Sequence, residues 1–169
     1  MKEPNILLRA LELEDLDFLY QIENDDRLWE LGVSNVPYSR RVLLDYISSA
    51  SADIYVDNQV RLIVENERDE QVGIVDLTDF DPRHRRAELG IVIKKEFQGQ
   101  GYAKASVVRL LHYARNILHL HQVYAIVAER NEKAAKMLQS VGFEGDNVLK
   151  QWLYSQDGYE NAIFFQYFL

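Results

Sequence analysis

The sequence has no cysteine. That removes disulfides and thiolate metal sites as organising devices, and it makes a cytoplasmic location the expectation. Only three prolines occur in 169 residues, so an internal hinge or a Pro-rich linker has little to be built from. Basic residues are in deficit: 19 Lys and Arg stand against 27 Asp and Glu, a net charge of −8. A nucleic-acid binder usually shows a basic face, so neither DNA nor RNA is expected as a partner, while an acidic surface favours a cationic one. No apolar run approaches the ~18 residues that a membrane span needs. The opening MKEPNILLRALELED has no long apolar signal-peptide core, and its acidic residues argue against a transit peptide. What the chain does have is 47% hydrophobic residues, enough to bury a sizeable core, and the length suits one domain over residues 1–169.

The order of elements reads as follows. Leu13 to Ile22 is amphipathic at helical spacing. Ser39 is placed to cap a second helix carrying Val42, Leu43, Tyr46 and Ile47. Three strand-like runs follow, Val60–Asn66, Gln71–Phe80 and Ala87–Lys94, with ERDE and DPRHRR as the turns between them. A glycine-containing loop then leads into a long helix whose buried side is expected to carry Val107, Leu110, Leu111, Ala114, Ile117 and Leu118. Gln122–Ala128 reads as a buried strand, and Asn131 can cap a short helix that stops at Gly142. Two final strands, VLKQWLY and ENAIFFQYFL, are joined at Asp157-Gly158, a hairpin signal. Strand pairs combined with a strand–helix–strand crossover predict a mixed α/β sheet.

The stretch EFQGQGYAKASVVRLLHYA runs a strand into glycines and a helix start. That order makes an anion cradle. The first helical N–H groups lack backbone acceptors, and the macrodipole adds roughly half a positive charge there. Gly99 and Gly101 allow close backbone approach and a positive φ. The dinucleotide pattern G-x-G-x-x-G fails at Lys104, and no Gly-Lys-Ser/Thr exists for a Walker loop. What the residues spell is Gln98-x-x-Gly101-x-Ala103.

With ERNEKAAKMLQSVGF further on, this loop resembles the pyrophosphate signature of the GCN5-related N-acetyltransferases (GNAT), and the resemblance covers essentially the whole chain. LLRALELEDLDFLYQIEND looks like the opening of the ribosomal-protein and spermidine acetyltransferase branch, and VDLTDFDPRHRRAELGIVI looks most like its polyamine enzymes. The resemblance implies a GNAT fold with splayed central strands and acetyl-CoA as co-substrate, with no metal. It assigns the pantetheine arm to the strand edge at Ile91, Val92 and Ile93, since an amide chain can imitate a neighbouring strand. The pyrophosphate falls to the backbone of Gln98, Gly99, Gln100, Gly101, Tyr102, Ala103 and Lys104. Asn131 would bond the arm, and Lys133 or Lys136 would meet the phosphate end.

Amine acetylation needs a proton acceptor, a stabilised oxyanion and a thiolate that can leave. Glu88, at the start of the central strand, is the expected base, and N–H groups near Val92 are the expected donors to the acyl oxygen. Asp79 is the expected acceptor-binding carboxylate. Asp76, three residues away, would face the other side of a regular strand unless a bulge intervenes. Trp29 and Tyr38 either line the acceptor pocket or pack beneath the first helices. Two positions depart from the relatives. Leu138 stands where many members have the tyrosine that protonates the thiolate, leaving Tyr124, Tyr154 or Tyr159, or an unassisted departure, to serve. In SNVPY, Asn35 and Val36 stand where the polyamine enzymes carry an acidic pair. His119 and His121 read as helix-end and loop residues. The acceptor expected first is a polyamine or diamine, with a protein N-terminus second. A non-catalytic acyl-CoA-binding module is the alternative of another class, and self-association is left open.

Overall fold

The computed structural model describes residues 4–29, 36–51, 53–155 and 157–169, with Trp29 described in its backbone alone. The chain opens with β1 (Ile6–Ala10) and a 3-10 turn over Leu13–Asp15 that leads into α1 (Leu16–Glu23). The turn is fixed by Asp15, which is buried, accepts the Glu12 N–H at 2.8 Å and takes a two-pronged contact from Arg9 at 2.8 and 2.9 Å. The single helix expected over Leu13 to Ile22 is therefore a tight turn followed by an α-helix, and Leu13 is left exposed. One-turn helices α2 (Asp26–Trp29) and α4 (Ile54–Asp57) flank α3 (Arg40–Ser49). Ser39 caps α3 as expected, its hydroxyl accepting from the Val42 N–H at 3.2 Å. Helix α4 was not foreseen; its start is set by the Asp53 carboxylate, which accepts from the Tyr55 N–H at 2.9 Å.

Strands β2 (Val60–Asn66), β3 (Gln71–Asp81) and β4 (Arg86–Ile93) form an antiparallel meander. Helix α5 (Tyr102–Asn116) crosses over to β5 (Gln122–Ala128), α6 (Glu132–Val141) follows, and β6 (Glu144–Ser155) with β7 (Gly158–Phe168) closes the fold. The seven strands make one mixed sheet in the order β1-β2-β3-β4-β5-β7-β6, in which β4 and β5 are the parallel pair. The final hairpin turns at Asp157-Gly158, as its sequence predicts, with Ser155 opposite Gly158.

Alternation along the strands loads both faces of the sheet. Val75, Leu77, Ala87, Leu89 and Val123 pack under Val107, Leu110, Leu111 and Ala114 of α5. Ile63 and Ile74 face the other way, against Phe18, Leu19 and Ile22 of α1 and Leu43 and Ile47 of α3. The expected buried stripe of α5 holds up to Ala114, but Ile117 is 64% exposed because the helix has ended at Asn116.

Candidate active site

The parallel seam between β4 and β5 is short. Arg86 pairs with Gln122, Ala87 with Val123 and Glu88 with Tyr124, and there the register ends, although β4 runs on to Ile93 and β5 to Ala128. The other edge of β4 stays paired with β3 as far as Ile93 opposite Gly73. Beyond Glu88, then, the two central strands diverge as expected. The edge of β4 at Ile91, Val92 and Ile93 is without a strand partner on the β5 side, the geometry an extended amide chain needs in order to dock.

The glycine loop lies at the end of that edge. A 3-10 turn over Lys95–Phe97 precedes Gln98, and Gly99 and Gly101 take φ of +76° and +88°, values that favour glycine. Gly101 is the N-cap of α5 and makes no side-chain cap, so the first N–H groups of the helix, at Tyr102, Ala103 and Lys104, point out of its start with no intrahelical acceptor. The two glutamine side chains build the loop: Gln98 donates to the Ile93 carbonyl at 2.9 Å and Gln100 to that of Glu96 at 2.8 Å. The rings of Phe97 and Tyr102 meet edge to face at 5.8 Å and brace it from below. This donor set suits a pyrophosphate. On the far side of the gap Asn131 caps α6, its Oδ1 accepting from the Ala134 N–H at 3.2 Å. Lys133 is exposed, and Lys136 is paired with Glu132 at 2.9 Å across one helical turn.

At the seam itself Glu88 and Asp79 come together. The register of β3 against β4 slips between Thr78 and Asp81, and Asp79 takes a left-handed φ of +48°. This is the bulge that a regular strand lacks, and it brings Asp79 into hydrogen-bonding reach of Glu88. Burial first, then the Asp79 charge and the bond that protonated Glu88 donates to it, push the Glu88 carboxyl above the usual glutamate range. Tyr124, opposite Glu88, is likewise pushed up, by burial and then by the Glu88 and Asp79 charges, and its ring stacks on Phe164 at 5.3 Å. Asp79 also lines an open cavity of about 550 Å³ with Asp57, Asn58, Gln59, Thr78 and Phe80. Asp76 lies on the Glu88 face as well, but its carboxylate is held by Arg61 at 2.9 and 3.0 Å.

The remaining candidates separate clearly. Leu138 is 2% exposed and belongs to the core under α5, so the position offers no proton donor. Tyr154 and Tyr159 face each other beside the β6–β7 turn, 74% and 70% exposed, away from the seam. Tyr124 is the one of the three tyrosines that meets Glu88. Tyr38 packs against the α1–α3 cluster, its main chain held on both sides by the Asn24 side chain at 2.7 and 3.0 Å. The Trp29 side chain and Asn35 lie outside the described residues, and Val36 is exposed. His119 and His121 fall in the turn after α5, as expected, with the His121 ring 5.8 Å from Phe168. Arg61 was missed. Its signal was an arginine inside the apolar run VRLIV, which calls for buried carboxylate partners.

A mixed sheet that splays at its parallel seam, with an anion cradle at the open edge and a carboxyl at the fork, defines a CoA-type acyltransferase. Residues 5–144 match the acetyltransferase (GNAT) domain family, and the chain belongs to it and is an N-acetyltransferase. It is similar to the spermidine N(1)-acetyltransferase of Escherichia coli K12, 31% identical over 94% of this chain and 83% of that protein. It is similar also to that of Vibrio cholerae, 30% identical over 93% and 89%. The crystal structure of the Vibrio cholerae spermidine N-acetyltransferase in complex with CoA and spermine superposes with a TM-score of 0.86 at 30% identity, covering 96% of this chain and 95% of that one.

Proposed function

We propose that the protein is an acetyl-CoA-dependent N-acetyltransferase of cationic primary amines, with polyamines or diamines as the first acceptor class. The observation that carries this reading is the Glu88–Asp79 carboxyl pair at the fork of the splayed strands. Its support from relatives is the spermidine acetyltransferase identity of the similar proteins and the CoA and spermine bound by one of them.

Acetyl-CoA, when bound, supplies an acetyl thioester. The chain's own groups do the rest. The backbone from Gln98 through Lys104 holds the diphosphate, and the β4 edge at Ile91, Val92 and Ile93 pairs with the pantetheine amides. Asn131 holds the arm, with Lys133 and Lys136 at its phosphate end. An N–H near Val92 donates to the acyl oxygen, which lowers the cost of negative charge there. Asp79 attracts the ammonium group, and Glu88 takes its proton, directly or through water. A base with a raised pKa accepts that proton more readily than an ordinary glutamate does. Tyr124, kept protonated by its surroundings, is the donor nearest the seam for the leaving sulfur.

The reading extends over residues 1–169 as one catalytic domain and keeps the cytoplasm as the place of action. Among the described residues no helix is long and apolar enough to cross a membrane. It also includes self-association of the chain. The β6 edge strand leaves Val148, Trp152 and Tyr154 exposed, and a dodecameric structure is known for the similar Vibrio cholerae enzyme. Sedimentation of the purified protein tests that part.

Thiol release from acetyl-CoA with a panel of amines tests the main claim. Spermidine, spermine and a diamine should each support release well above the amine-free rate. Release with a peptide bearing a free N-terminus and none with polyamines would replace the acceptor by a protein N-terminus. No release with any amine, alongside intact acetyl-CoA binding, would leave a binding module.

A further inference from the structure

Three adjacent strands place Arg61, Asp76 and Gly90 side by side on the face that carries Glu88, with Thr78 opposite Glu88 two residues further along. Gly90 has no side chain, and the Asp76 carboxylate occupies the space beside it: a Cβ at Gly90 would stand 3.6 Å from Asp76 Oδ2. The Arg61 guanidinium grips Asp76 with two parallel bonds, Nε to Oδ1 at 2.9 Å and Nη2 to Oδ2 at 3.0 Å, and Glu23 with Nη1 at 2.6 Å. It also lies 5.6 Å from the centre of the Tyr46 ring. The three charged side chains are only 22%, 17% and 18% exposed, so solvent screens them poorly.

A half-buried guanidinium one strand away from Asp76 is an awkward neighbour for a site that must attract an ammonium and keep a strong base. We propose that Asp76 is a positioning residue of the acceptor site: its fork holds the Arg61 guanidinium back from Glu88 and cancels that charge, so that the face in front of Glu88 admits an aliphatic ammonium. The inference rests on Glu88 being the base. The charged and titratable groups around Glu88 are Asp79 and Asp76 from β3, Tyr124 from β5, Arg86 two residues earlier on β4, and Arg61 from β2 behind Asp76. Arg86 is exposed and answers to Asp81 at 3.2 Å. Arg61 is therefore the half-buried positive charge that adjoins Asp76 on this face, and Asp76 and Glu23 compensate it.

The test is the pH profile of kcat/KM for a polyamine and for a monoamine. Asp76→Asn keeps shape and releases the Arg61 charge toward Glu88. Its acid limb should move down by about one to two pH units, the order expected for a unit charge some 7 Å away at an effective dielectric of about 20. The amine KM should rise about 10-fold, more for the polyamine, while acetyl-CoA affinity holds. Asp76→Glu should restore most of both. The double variant Arg61→Gln with Asp76→Asn removes both charges and should bring the limb back toward wild type, although the ion pair is gone. A structural role would leave the double variant at least as impaired as the single one, and an unmoved limb and amine KM in Asp76→Asn would overturn the proposal. If Asp76→Asn does not fold, the double variant decides by itself, because a displaced limb there refutes charge cancellation. Full turnover in Glu88→Gln would instead remove the base assignment on which the inference rests.

Discussion

Glu88 holds its proton more tightly in the folded protein than a free glutamate does, and two consequences separate cleanly. As a base it must be ionised, so Glu88→Gln should lower kcat by about 10²-fold or more, with acetyl-CoA affinity nearly unchanged in calorimetry. In stability the sign runs the other way. A carboxyl with a raised folded pKa contributes fully below its unfolded pKa, and that contribution is lost as the pH rises through the folded one. Glu88→Gln should therefore melt higher than wild type at pH 7 and lose that advantage near pH 4; a lower melting point at pH 7 would contradict the half-buried, Asp79-facing placement. Gly101 makes the second residue-scale case. Its φ of +88° excludes β-branched residues without strain, and a Cβ there would stand 3.1 Å from Pro4 Cδ. Gly101→Val should abolish acetyl-CoA binding in calorimetry, and a melt will show a local cost besides, because the side chain must also displace Pro4. The positions of Glu88 at the fork and of the glycines before α5 were legible in the sequence because they follow from chain order and residue type. The approach of Asp79 was not, because it depends on one left-handed residue that strand periodicity cannot reveal.

At the scale of elements, caps were the most readable feature. Ser39, Asn131 and Gly142 stand at the helix ends that their side chains, or the lack of one, predict. The end of α5 was misread for a physical reason. Ile117 and Leu118 continue the apolar spacing, yet the chain turns off at His119 with φ of +53° and no glycine to announce it. The Leu118 N–H bonds back to the Tyr113 carbonyl at 3.2 Å, a widened final turn that composition does not encode. The α6 cap supports a prediction that separates two roles. Asn131 Oδ1 serves the helix, while the amide nitrogen on the same side chain is the group able to donate to a cofactor. Asn131→Asp keeps the acceptor, and a carboxylate is welcome at a helix N-terminus. Thermal stability should hold or rise slightly while acetyl-CoA affinity falls several-fold. Equal affinity in the two proteins would confine Asn131 to capping.

For the molecule as a whole, the charge of −8 and the carboxyls at the seam give a salt signature. The Debye length is about 10 Å at 0.1 M salt and about 3 Å at 1 M, so added salt should raise the KM of a polyamine more than that of a monoamine, because each exposed ammonium loses its attraction separately. Equal slopes for the two amines would argue against recognition by charge. The succession of strands and helices was legible from alternation and spacing; the Arg61 network was not, since its members come from α1, β2 and β3 and meet only after folding. The splayed seam has a mechanical corollary. Strands β1 to β4 and strands β5, β7 and β6 are stitched together by three residue pairs, so a ligand that lies along the open part acts as a rivet between two half-sheets. At a hundred times its dissociation constant such a rivet adds about 2.7 kcal/mol, a rise of roughly 5–10 °C in melting temperature for a protein of this size. Amide hydrogen exchange should locate the stiffening: along β4 past Glu88, alternate amides that face the opening should exchange quickly in the free protein and slow down when acetyl-CoA is added, while those bonded to β3 stay slow throughout.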